Sequence, residues 1–163
     1  MEAYQAFLTW LEELPISIAI AESSSIWGFP FLLVLHTIGI CMTAGIGAVI
    51  SLRIMGVAKA IPLAALRPLF LQFWIGFAIS AVSGTLLFLI APTTYGVHPM
   101  YLSKIFLMIL ATLALLPMRT IIRSDRLASD SDIPARVKIM AAVSPLLWIS
   151  VIATGRLIGY FSS

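Results

Sequence analysis

Charge is what this sequence has least of. Only 10% of its 163 residues are Asp, Glu, Lys or Arg, against 61% hydrophobic, whereas a soluble domain carries about 25% charged residues. A surface so poor in charge must face something other than water, which excludes an ordinary soluble enzyme. Cys41 is the sole cysteine, so no intrachain disulfide can form and the redox compartment cannot be read from it. Walker motifs, dinucleotide-binding glycine patterns, zinc spacings and internal repeats are all missing. No Asp or Glu falls in any long apolar stretch, which removes a Ser-His-Asp set. The opening MEAYQAFLTWLEELP lacks the basic segment of a secretory signal and carries Glu2, Glu12 and Glu13 instead.

What the sequence does hold is apolar length, with a mean hydropathy of +1.07. A bilayer-spanning helix needs roughly 20 mostly apolar residues. Four stretches meet that need, from about Trp27 to Leu52, Leu69 to Ile90, Pro99 to Met118 and Ile139 to Phe161. The expected fold is an all-α, integral membrane four-helix bundle forming one domain, with the lipid bilayer as its main partner. Pro30, Pro68 and Pro99 sit near span starts, where a missing N–H costs nothing. Pro117 and Pro145 are expected to bend the helices that contain them. Trp27, Tyr101 and Tyr160 fall where an aromatic belt would place them.

The net charge of +3 does not point to nucleic acid, because the basic residues fall between spans rather than on one polar face. Arg53, Lys59 and Arg67 occupy the first connection, and Arg119, Arg123, Arg126, Arg136 and Lys138 the third. The second connection and the N-terminal segment have no Lys or Arg. The positive-inside rule then puts the first and third connections in the cytoplasm, with both termini and the Pro92–His98 loop on the outer side. Residues 1–22 read as an interfacial amphipathic helix, with Tyr4, Phe7, Leu8, Leu11 and Leu14 on one face. Its acidic other face suits the outer side. Pro15 and the serines after Glu22 would end it. The polar loop from Arg123 to Pro134 reads as a solvated connection or a docking surface, with Asp132 a candidate helix cap.

Three strongly polar side chains fall inside the spans: His36, Lys104 and Arg156. Ionisable groups there mark a functional site by default. His36 stands six residues after Pro30, Lys104 five after Pro99, and Arg156 six before Ser162. At about 1.5 Å rise per residue, each lies roughly 8–10 Å below the outer surface. His98 stands above this layer, at its mouth, as a candidate second ligand or gate. With no carboxylate in any span, an anionic ligand would balance the two cations. A b-type haem offers two propionates for Lys104, Arg156 or His98 and an iron for a neutral His36. Gly39, Thr43 and Gly47 on one helix, and Gly76, Ser80 and Gly84 on the next, form small-residue stripes. These suit either close helix packing or a flat macrocycle.

Ordinary readings stand beside this one. Lys104 and Arg156 can snorkel to the interface, His36 can bond between helices, His98 can be solvated, and Cys41 can fill space. A quinone or another redox partner could use the same polar layer. The chain could equally be a non-enzymatic accessory or anchor subunit of a membrane complex, or a homo-oligomer. Metal or small-anion transport is weakened by methionines that scatter rather than cluster.

The run Trp27-Gly-Phe-Pro-Phe-Leu-Leu-Val-Leu-His36-Thr-Ile-Gly39, with Gly47 and Leu52-Arg53 after it, resembles the first helix of HemJ-type protoporphyrinogen oxidases. Pro99-Met-Tyr-Leu-Ser-Lys104-Ile-Phe-Leu resembles that family's helix with an early lysine, and the matching segment of CopD-like copper-resistance membrane proteins. The resemblance implies a small four-helix fold and, from the HemJ group, a b-type haem and an oxidoreductase activity. His36 and Lys104 match positions that matter there for haem binding or activity. The acidic N-terminal helix and Arg156 depart from that pattern, so the chain reads as a small bacterial membrane protein distantly similar to both groups.

Overall fold

The computed structural model describes residues 2–23, 25–124 and 133–161, the side chains of 160 and 161 excepted. Every element in these residues is helical: α1 (Glu2–Glu12), α2 (Pro15–Ala21), α3 (Phe29–Ile54), a 3-10 turn (Leu63–Leu66), α4 (Leu69–Phe88), α5 (Pro92–Tyr95), α6 (Pro99–Arg123) and α7 (Ala135–Phe161). α3, α4 with its preceding turn, α6 and α7 are each long and apolar enough to cross a bilayer, which makes the chain a multi-pass membrane protein. Only 22–28% of each apolar window is buried inside the protein. Apolar side chains therefore cover the outside of the bundle, as lipid contact requires.

Proline marks the starts of α2, α3, α5 and α6, where its fixed φ suits the first turn. Pro15 thus begins a second short helix rather than ending the N-terminal segment. Pro117 and Pro145 lie inside α6 and α7, which continue through both. Asp132 and most of the polar loop fall outside the described residues.

α3 packs along α4, α7 packs along α6, and α3 joins the two pairs through α7. Glycine sets the α3–α4 distance: a Cβ on Gly39 would lie 2.6 Å from Ser80 N and 2.8 Å from the Gly76 carbonyl. The backbones already touch there, so the stripe around Gly39 serves packing.

The apolar core fills the half of the bundle nearer the 3-10 turn. Ile50 and Ile54 of α3 meet Phe70 and Phe73 of α4, Leu115, Met118 and Ile122 of α6, and Val137 and Trp148 of α7. At that end Arg53 is buried, its Nε donating to the Ile61 carbonyl (2.6 Å) and Nη2 to the Lys59 carbonyl (3.4 Å). Arg67 Nε donates to the Ile122 carbonyl at 3.2 Å, satisfying an acceptor in the last turn of α6. At the opposite end α1 docks on α5. Leu8 is buried against Gly96, Tyr4 Oη donates to the Gly96 carbonyl (2.9 Å) and Thr93 Oγ1 to Glu12 (2.6 Å). Leu8 is the one buried residue of the expected apolar face; Tyr4 and Phe7 are exposed, and Phe7 stacks on Trp10.

Candidate functional site

The half of the bundle nearer α5 holds the polar residues. His36, two turns into α3, lies against α4 at Gly84, where a Cβ would stand 2.8 Å from the ring carbon Cε1. The missing side chain makes the ring's seat. His36 Nδ1 is 2.9 Å from the Ser80 carbonyl and 3.2 Å from Ser83 Oγ. A carbonyl can only accept, so Nδ1 carries the proton. Ser83 donates its own proton to the Ile79 carbonyl at 2.6 Å, leaving its oxygen free to accept from the ring.

Lys104 of α6 reaches the other ring nitrogen, with Nζ 3.3 Å from His36 Nε2. The direction follows from the first bond. With Nδ1 protonated in a neutral ring, Nε2 is the acceptor and the ammonium or amine donates. The lysine stem runs beside Gly155 of α7, whose Cβ would meet Nζ, Cε and Cδ at 3.4–3.7 Å. All four long helices therefore shape one histidine–lysine pair, and no carboxylate stands in any of them. One turn nearer α5, Phe88 of α4 stacks on Tyr101 of α6 with ring centroids 5.2 Å apart. Tyr95 of α5 leans on Tyr101 at 6.1 Å. Aromatic rings thus roof the pair at its α5 side.

The other residues singled out from the sequence lie elsewhere. Arg156 is exposed and makes no hydrogen bond or ion pair among the described residues. It follows Gly155, and one residue of helix turns the side chain by about 100° away from the lysine. His98 caps α6, its Nδ1 accepting from Met100 N at 3.3 Å. Gly39 is a helix contact, as described above, and Cys41 is exposed. Ser83, Gly84 as the ring's seat, and Gly155 are the members that sequence reasoning missed. Among the described residues, no three His, Cys, Asp or Glu side chains gather as a metal site. No protein-family model, curated protein or solved structure matches this chain.

Proposed function

We propose that this protein binds one b-type haem in the bacterial inner membrane, with His36 as axial ligand and the α5 end of the bundle facing outward. The observation that supports this reading is the Nδ1–H bond from His36 to the Ser80 carbonyl. Ligating histidines are held this way, the second nitrogen donating to a backbone carbonyl so that the first presents its lone pair. Here that lone pair is Nε2, and Lys104 is the only group hydrogen-bonded to it among the described residues. The pair would offer a haem one imidazole nitrogen with a cation beside it. Lys104 would leave Nε2 to an iron and offer its charge to a propionate or its amine as a second ligand. His98, engaged as a helix cap, and Arg156, exposed on another face, stand apart from this set. When bound, the haem would supply one-electron chemistry; a quinone or a protein would be its redox partner.

The test is an absorption spectrum of the detergent-purified full chain before and after dithionite. A reduced b-type α-band is expected, and it should vanish in His36→Ala. Wild-type protein purified from a haem-replete membrane without that band would end the haem reading.

A second reading, an accessory subunit or homo-oligomer, is supported by a different surface. Thr37, Cys41 and Gly45 recur one turn apart on the exposed side of α3, and nothing lies within 4 Å of a Cβ built on Gly45. Small residues on a lipid-facing stripe let another helix approach. Native-expression co-purification in which wild type retains a partner and Gly45→Leu releases it would favour this reading.

A further inference from the structure

Most serines and threonines in these helices share a habit. Ser150 and Thr154 of α7 donate to the carbonyl four residues back, as do Thr43, Ser83 and Thr112 on the other helices. Ser144 does not. Its Oγ is fully buried and has no hydrogen-bond partner, and neither has Nε1 of Trp148 one turn further along the same face. Pro145, between them, has no N–H to give the Ala141 carbonyl, and Ala141 is itself fully buried. Two buried polar side chains on one face of α7 thus lack a partner within a single turn, beside a carbonyl that Pro145 cannot bond. In a bilayer interior such groups must be satisfied by something.

The facing helix points the same way. Trp148 Nε1 stands 3.2 Å from where a Cβ on Gly47 would be, and Leu115 Cδ1 stands 3.6 Å from the same point. α3 and α7 run antiparallel, so the register that sets Gly47 on Trp148 sets Ser51 level with Ser144. Ser51 donates to Met118 Sδ at 3.8 Å, which leaves its oxygen lone pairs free to accept.

We propose that this turn of α7 is a binding site for one buried water molecule. It accepts from Trp148 Nε1–H and donates to the Ala141 carbonyl freed by Pro145, with Ser144 Oγ as its third partner and Ser51 Oγ within its layer. Two to four polar partners are what a buried water needs, and ordered waters are among the groups that satisfy a proline break in a membrane helix. The site lies in the apolar-core half of the bundle, apart from the His36–Lys104 pair, and stands whether or not haem binds.

The test uses the full chain in lipid nanodiscs with its tryptophans labelled with nitrogen-15 at the indole. Trp148→Phe assigns the Trp148 indole signal, and cross-relaxation from water is then measured. The expected result is a water cross-peak on Trp148 with the sign of a long-lived bound molecule. Ser144→Ala and Pro145→Ala should each shift that indole signal and reduce the cross-peak, leaving Trp74 unchanged. A wild-type Trp148 signal without a water cross-peak overturns the proposal. So does a cross-peak that neither substitution alters, because the water would then be held by other groups.

Discussion

Two glycines on α3 show how one residue type does opposite jobs a turn and a half apart. Gly39 faces backbone atoms of α4 at 2.6–2.9 Å from its would-be Cβ, while Gly45 faces nothing within 4 Å. Backbone cannot swing aside as a side chain can, so Gly39→Ala should drive α3 and α4 apart. The expected loss is about 1–3 kcal/mol, the usual size of an overpacking penalty, read as earlier unfolding in a sodium dodecyl sulfate titration. Gly45→Ala should leave stability unchanged or raise it by up to about 1 kcal/mol from helix propensity. Gly84 is a third case, because its neighbour is the His36 ring. Gly84→Ala should displace the ring from the Ser80 carbonyl and, on the proposed haem reading, lower the haem content measured by the pyridine haemochromogen assay.

At the scale of the helix, length and hydropathy were legible in the sequence and azimuth was not. The expected spans differ from α3, α4, α6 and α7 by a few residues, because apolar runs bounded by proline and charge are local features. Depth along a helix is also local, and counting residues did bring His36 and Lys104, 68 positions apart, to one layer where they touch. The same count put Arg156 level with this pair, but equal depth says nothing about which way a side chain points. Gly155, its neighbour, is the residue that meets Lys104. The His36–Ser80 bond was invisible for another reason: a backbone carbonyl carries no residue-type signal. The cap role of His98 did have one, a polar residue just before Pro99 and the helix start. α1 gives the test at this scale. Its hold on α5 rests on buried Leu8 and the bonds of Tyr4 and Glu12. Leu8→Ala should cost that contact about 2–5 kcal/mol and release α1, seen as faster proteolytic clipping within residues 2–12 while the long helices stay intact.

The molecule as a whole is polarised along its long axis. Buried apolar packing and the arginines Arg53 and Arg67 gather at the 3-10-turn end, whereas the histidine–lysine pair, the aromatic roof and the acidic α1 gather at the α5 end. Basic loops favour the cytoplasm, which gives the orientation a direct check. On a Cys41→Ser background, Thr94→Cys near α5 should react with a membrane-impermeant maleimide in intact spheroplasts. Ala60→Cys in the opposite loop should react only after permeabilisation; the reverse pattern would invert the topology.

The latch between α1 and α5 also bears on how the protein is made. Tyr4 and the carbonyl it grips are 92 positions apart, and two complete spans lie between them. While those spans leave the ribosome, α1 has been synthesised but its seat has not. α1 can therefore dock only late, closing the end of the bundle after α3 and α4 have been made and residues 92–96 have turned the chain back.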